Sequence, residues 1–351
     1  GEGALRYHGG RGPGGIDFSV NLNPLPPPAE ALELLKECMS EEAARTYPDY
    51  EYRDLKGAVG SFYGLAEEEV VPLNGSSEGV LLALLATGAR KVVAVQPSYG
   101  EHRDLAEALG LRYEPLFMRM QDSRFTLDVD DLRRPCADPD ALIILANPNN
   151  PTGSFMDPRA LGALSSECRS WLLLDEAYAE LSEAYPGVRP YLGERTIVLR
   201  SLTKWLSVPG LRIGFAAAEK EVARRMDVLR APWNVNSIAE CFARAALGDI
   251  GGELLSYITA SRRYISMERS RVSGRMSSIG LEPFESRANF LLIRHRRPAD
   301  ELAAYLRSKG ISIREAWTFE GLDRTFFRVA IKSREEDDIL LEALEVYLDG
   351  A

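Results

Sequence analysis

With 351 residues, 45% of them apolar and 27% charged, the chain is long enough for two folded domains around a sizeable core. Lys and Arg number 42 against 52 Asp and Glu, and the resulting net charge of −10 argues against a general nucleic-acid binder. No apolar run approaches the ~18 residues that cross a bilayer, and the first residues lack the charged-then-apolar layout of a signal peptide. A cytoplasmic place is therefore expected. Cys38, Cys136, Cys168 and Cys241 are widely spaced, with no C-x-x-C pair. They read as small buried thiols in a reducing compartment, not as a disulfide frame. His8, His102 and His295 share no metal-ligand spacing, so no metal is expected.

Residues 1–30 are rich in Gly and Pro, which disfavours regular structure. Within them Phe18, Val20 and Leu22 alternate with polar residues, as an extended arm lying on the body would. Pro28 then opens a helix with Leu32, Leu35 and Met39 as its apolar positions, and a second helix follows Tyr47 to Tyr50 and runs to about Tyr63. From residue 70 short apolar runs alternate with helical stretches: Val70-Val71, Lys91 to Val95, Ala141 to Ala146, Trp171 to Leu174, Thr196 to Leu199 and Ile213 to Ala218. Runs that are apolar throughout belong to strands covered on both faces, so the fold class is α/β, a three-layer, mostly parallel sheet.

After Pro232-Trp233-Asn234-Val235-Asn236 a long helical region begins and resumes past Gly251-Gly252. Beyond residue 288 strands and helices alternate on a smaller scale, and the last helix opens on the capping box Ser333-x-x-Glu336. This predicts a smaller α+β C-terminal domain. The expected division is an arm at 1–30, a large domain at 31–240 and a small domain at 241–351 that includes the connecting helix. Residues 31–44 are candidates for packing with the small domain.

In an open parallel sheet, ligands bind outside the carboxyl ends of the strands. There Gly75, Ser76 and Ser77 precede an apolar helix, and free N–H groups at a helix start suit a phosphate. Tyr99 follows the next strand. Asn150 sits in a turn with two Asn-Pro steps and Gly153. Asp175 follows three leucines, where a buried carboxylate needs a cationic partner, and Tyr178 lies three residues on. Ser201, Lys204 and Arg212 complete the set. Alone, Lys204 reads as a solvated loop lysine. Together these groups form a phosphate cradle, a stacking ring, a carboxylate, two polar side chains and an amine. One cofactor needs them all: pyridoxal 5′-phosphate, whose aldehyde joins a lysine and whose ring nitrogen stays protonated beside a carboxylate.

The motifs Asn149-Asn150-Pro151-Thr152-Gly153, Asp175-Glu176-Ala177-Tyr178 and Ser201-x-x-Lys204 with Gly210-Leu211-Arg212-Ile213-Gly214 occur in this order. In them the chain resembles the fold-type I pyridoxal-phosphate enzymes of the class I/II aminotransferase branch, over essentially its whole length. The resemblance implies a homodimer with shared sites, in which Tyr47, or Tyr50 in its place, reaches the neighbouring subunit's cofactor phosphate. It implies that Arg328, in Phe327-Arg328-Val329-Ala330, binds the substrate's carboxylate.

Within the branch two groups compete. Histidinol-phosphate aminotransferases share the cofactor motifs and a Pro-Tyr-Asn-Val-Asn-like segment. The L-threonine-O-3-phosphate decarboxylases of cobalamin synthesis resemble the chain more closely, in Tyr7-His8-Gly9-Gly10 with Asp17 to Leu25, in Arg200 to Lys204, in Pro232-Trp233-x-Val235-Asn236 and in Ile313-Arg314 with Phe319-x-Gly321-Leu322-Asp323. Both groups act on small phosphorylated substrates, which makes His8, Asn23 and Arg314 candidates for the substrate's own phosphate. Decarboxylation or transamination depends on which Cα bond stands perpendicular to the ring.

Overall fold

A computed structural model describes residues 15–185 and 193–350. Its centre is a seven-stranded sheet ordered Val70–Leu73, Gly214–Ala218, Thr196–Ser201, Trp171–Asp175, Ala141–Ala146, Lys91–Gln96 and Arg112–Phe117. Gly214–Ala218 alone runs antiparallel to its neighbours, and the remaining pairs are parallel. The expected strands form because Val, Ile and Leu fill both faces: all six residues of Ala141–Ala146 are buried, as are all six of Thr196–Ser201. Two core clusters flank the sheet, one including Val93, Ile143 and Val198, the other Val92, Ile144 and Leu199. Successive residues of each strand point to opposite helical layers, which is the three-layer arrangement. Arg112–Phe117 escaped the sequence reading because its Arg, Glu and Pro break the apolar run; it is the half-buried edge strand.

The second sheet has four strands, Glu282–Pro283, Phe290–Arg294, Phe326–Ala330 and Arg314–Glu315, with its own core of Val272, Leu291, Val329 and Leu340 among others. The helix Arg334–Asp349 starts on the expected capping box, Ser333 accepting from the Glu336 N–H and Glu336 from the Ser333 N–H. The helix Gly251–Ser278 connects the two units.

The arm is ordered over its described part. Ile16–Asp17 pairs in parallel with Ile311–Ser312, Phe18 is fully buried, and its carbonyl accepts from Ala330 N at 2.9 Å. Two expectations need correction. The helix Ala29–Cys38 buries Ala31 and Cys38, while Leu32 and Met39 are 40% and 65% exposed. Leu35 is half-buried against the core as expected, together with Leu34, while Leu32 and Met39 are not. The cysteines are paired as disulfides, Cys38 with Cys241 (Cα–Cα 5.8 Å) and Cys136 with Cys168 (4.6 Å). Helix packing brings together residues 203 positions apart in the chain, which spacing along the sequence does not record. No helix among the described residues is long and apolar enough to cross a membrane.

Candidate active site

The carboxyl ends of the central strands open on one cleft. Its lining includes Ser76, Ser77, Tyr99, Asn150, Asp175, Tyr178 and Lys204, seven residues that the sequence had singled out. Lys204 stands in the single helical turn Leu202–Trp205, directly after the strand Thr196–Ser201. It is half-buried, with Nζ 6.0 Å from the centre of the Tyr178 ring.

Asp175 ends the strand Trp171–Asp175, half-buried, and one carboxylate oxygen accepts from the Ala177 N–H at 3.2 Å. Loss of water pushes its carboxyl up to about 6, against smaller opposing effects of that hydrogen bond and of Lys204. Among the described residues no cation lies within ion-pair distance of it. A protonated ring nitrogen would supply one.

The Asn150 turn contains cis bonds at Asn147–Pro148 and Asn150–Pro151. Asn147 and Asn149 hold the turn itself, Asn147 through Met156 and Asn149 through Thr152. Gly153 is required: its φ is +71°, and an added Cβ would lie 2.1 Å from Ser286 Oγ. Arg328 Nη1 donates to Asn150 Oδ1, which leaves the Asn150 amide nitrogen as the donor toward the cleft.

The helix Ser76–Thr87 opens beside them on Gly75, at φ +79°. The Arg212 guanidinium lies so close that a Cβ on Gly75 would come within 2.4 Å of its Nη2. A glycine, the unpaired N–H groups of a helix start and an arginine converge there, which is the donor set an anion needs. Ser201 Oγ, buried, exchanges a hydrogen bond with Thr203 Oγ1 at 2.8 Å. Burial raises the Tyr99 hydroxyl, foremost among several effects.

Arg328 is 5% exposed within the strand Phe326–Ala330. Besides Asn150 it donates from Nη2 to the Ser19 carbonyl at 2.6 Å, and its Nε has no partner. No carboxylate pairs with it among the described residues. Arg314, also buried, is its register partner on the neighbouring strand, and donates to the Glu315 carbonyl at 2.9 Å and to Thr318 Oγ1 at 2.7 Å.

Three predicted positions, Asn23, Tyr47 and Tyr50, stand elsewhere, and a fourth is not among the described residues. Asn23 is not available to a substrate: its amide donates to the Trp205 carbonyl (3.0 Å) and Ser261 Oγ (2.8 Å), and its N–H to the Lys204 carbonyl (3.0 Å). It clamps the lysine's turn. Tyr47 and Tyr50 are 73% and 52% exposed beside Trp233, Tyr47 stacked at 4.4 Å, and neither lines this chain's cleft. His8 lies outside the described residues.

Two features escaped the sequence reading. Asn21 reaches Tyr178 Oη at 3.4 Å, and only its place in the Asp17 to Asn23 stretch could have signalled it. Behind the cleft, fully buried Arg200 pairs with Glu176 at 2.9 Å and Glu180 at 2.7 Å, with Tyr63 and Tyr185 donating to the same carboxylates. These side chains come from separate elements that only the fold joins.

The family model for class I and II aminotransferases matches residues 13–344. The chain belongs to that family. Threonine-phosphate decarboxylase of Salmonella typhimurium is 31% identical to this aminotransferase-family chain over 344 residues, 95% of this chain and 92% of that protein. Histidinol-phosphate aminotransferase 1 of Mesorhizobium japonicum is 32% identical over 342 residues, 93% and 89% of the two chains. The crystal structure of the histidinol-phosphate aminotransferase of Clostridium acetobutylicum has a TM-score of 0.83 at 28% identity, covering 96% of this chain and 100% of that one. This family member is therefore a pyridoxal-phosphate-dependent enzyme. The residues fit the group: a carboxylate without a cation partner among the described residues, an anion cradle that a Cβ at Gly75 would fill, and an amine in the same cleft.

Proposed function

We propose that this enzyme decarboxylates L-threonine-O-3-phosphate to aminopropanol phosphate, the amine used for the corrin side chain in cobalamin biosynthesis. The observation that carries the reading is the pair of buried guanidiniums, Arg314 and Arg328, side by side on neighbouring strands. Two adjacent cations without a carboxylate counterpart on Arg328 suit a small substrate with two anionic ends, here a carboxylate and a phosphate. Histidinol-phosphate aminotransferase, or a related amino-acid aminotransferase, is the second reading. Its support is the similarity to histidinol-phosphate aminotransferases, 32% identical in Mesorhizobium japonicum.

The bound cofactor supplies an electron-withdrawing ring that weakens the bonds at the substrate's Cα. Lys204 anchors it and takes or returns a proton at Cα. Asp175 would hold the proton on the ring nitrogen, whose charge would supply the cation that its desolvated carboxylate lacks. Asn150 and Tyr178 would hydrogen-bond the ring hydroxyl, and Tyr99 would lie against the ring. Gly75, Ser76, Ser77, Ser201 and Arg212 would hold the phosphate. Arg328 takes the substrate carboxylate in a bidentate grip, and Arg314 takes the substrate phosphate. Where these two hold the anionic ends decides the outcome. Held one way, the substrate would lose its carboxylate as CO₂ and Lys204 would return a proton to Cα; held the other way, Lys204 would remove the Cα proton instead.

The chain acts as a homodimer in this reading, with Tyr47, or Tyr50, reaching the neighbouring site. Leu32, Met39, Tyr47, Tyr50 and Trp233, each at least 40% exposed, support it as apolar surface awaiting a partner. The division into arm, large and small domains is kept, with the second boundary moved from 240 to about 250. The helix Ser237–Asp249 packs on Ala29–Cys38 and Arg53–Tyr63, so it belongs with the large domain. The cytoplasmic place expected from the sequence is retained, although two disulfides would be unusual in a reducing cytosol.

The test offers two substrates to the purified holoenzyme. Phosphothreonine alone should release CO₂ without any keto acid. Glutamate formation from histidinol phosphate and 2-oxoglutarate, with no CO₂ from phosphothreonine, would sink the preferred reading in favour of the second.

A further inference from the structure

Glu320 lies in the turn between Arg314–Glu315 and Phe326–Ala330, and its carboxylate crosses from the small unit to the edge of the central sheet. There Tyr113 Oη donates to it at 2.8 Å, and Arg103 Nη1 stands 3.8 Å away. Tyr113 Oη in turn accepts from Gln96 Nε2 at 2.8 Å, and Gln96 Oε1 accepts from the Ser98 N–H at 2.6 Å. A continuous hydrogen-bonded path therefore runs from Glu320 to the residue before Tyr99.

The same turn also reaches Arg314 through the two residues before Glu320. Thr318 Oγ1 accepts from its guanidinium, and the ring of Phe319 lies 5.0 Å beneath it. On the far side of Glu320, Gly321 adopts φ +92°, and a Cβ there would come within 2.9 Å of the Phe117 ring. One short turn thus grips Arg314 with residues 318 and 319 and grips the large unit with residues 320 and 321. Its attachments to the large unit, which also include the Arg103–Glu320 pair and the buried Phe319 and Leu322, differ in kind. The Phe117 contact is apolar and non-directional, whereas Tyr113 to Glu320 is a charge-assisted hydrogen bond with one geometry.

We propose that the Glu320–Tyr113 pair is a positioning latch that fixes Arg314 relative to Tyr99, and so sets the enzyme's preference for phosphorylated over unphosphorylated substrates. The latch rests on the reading of Arg314 as the substrate-phosphate group. It touches neither substrate nor cofactor. A guanidinium held at a fixed distance from the ring face binds a phosphate at only one reach from Cα, and a guanidinium that drifts loses that discrimination. If the pair merely glued the two units together, its loss would change stability and leave substrate preference alone.

The experiment compares the holoenzyme with Glu320→Gln, Tyr113→Phe and the double variant. KM and kcat are measured for the phosphorylated substrate that is turned over and for its unphosphorylated counterpart, phosphothreonine against threonine or histidinol phosphate against histidinol. Each single variant should raise KM for the phosphorylated substrate about tenfold, change kcat less than about twofold, and leave the unphosphorylated substrate's KM unchanged. The double variant should be no worse than either single one. An unchanged phosphate preference in both single variants, or an equal loss for both substrates, overturns the latch. A parent enzyme with no phosphate preference overturns instead the reading of Arg314, and that result is seen before any variant is made. Unfolding of each variant is followed alongside, and Tyr113→Phe carries the same prediction if Glu320→Gln fails to fold.

Discussion

Arg328 donates to the side-chain oxygen of Asn150, so the arginine of the small unit orients the amide at the floor of the cleft. In the proposed reading, the substrate's carboxylate site and the cofactor's ring site are thus joined by one hydrogen bond. Arg328→Lys keeps the charge but loses the planar fork. It should raise KM for a carboxylate-bearing substrate by about 10–100-fold, the worth of one or two charged hydrogen bonds. Steady-state kinetics checks this, with the visible cofactor band expected to persist.

Asp175 gives a pH signature in the cofactor-free protein. Burial raises its carboxyl from 3.8 to about 6, so the folded state favours the protonated form. Its ionisation therefore costs stability as pH rises from about 4 through about 6, and nothing further above that. Asp175→Asn should remove this component. At pH 8 the cofactor-stripped variant should be more stable than the parent by on the order of 1 kcal/mol, discounted for residual exposure, and at pH 4 the two should match. Urea unfolding of both proteins at the two pH values measures it. The same variant should lose nearly all activity.

The Arg200 cluster predicts a stability loss. Arg200→Met leaves Glu176 and Glu180 buried without their cation and should destabilise the fold by about 3–5 kcal/mol. Adding Glu176→Gln and Glu180→Gln should recover much of that loss. Denaturant unfolding of the single and triple variants decides it.

The strands beneath the site were legible because fully apolar runs leave one reading in a chain of this length. Asp175, Asn150, Ser201 and Lys204 were legible because each follows such a run. Asn23 misled for the opposite reason: its amide is turned inward on Trp205 and Ser261, partners that lie 182 and 238 positions away. The two disulfides and the Arg200 cluster were invisible on the same grounds. Tyr113, on an edge strand broken by charge, was passed over although it links the two units.

The disulfides are tested by thiol titration of the protein isolated without reductant. The fold predicts no free thiol before reduction and four after it, matching its four cysteines. Thiols that react fully before reduction would restore the sequence expectation. Loss of the Cys38–Cys241 link by Cys38→Ser with Cys241→Ser should cost about 2–5 kcal/mol in the oxidised protein, read by urea unfolding.

The shared sites of the proposed homodimer predict complementation between inactive subunits. Lys204→Ala and Tyr47→Ala chains, each inactive or nearly so alone, should form hybrids with one intact site when refolded together, recovering roughly a quarter of parental activity. No recovery with either Tyr47→Ala or Tyr50→Ala would remove both tyrosines from the neighbouring site.

The placement of the cofactor on Lys204 is tested most directly by borohydride reduction of the holoenzyme followed by peptide mapping. The account predicts loss of the visible band and a single pyridoxyl-modified peptide, with the added mass on Lys204. Modification at another lysine, or an unaltered visible band in Lys204→Ala, would contradict it.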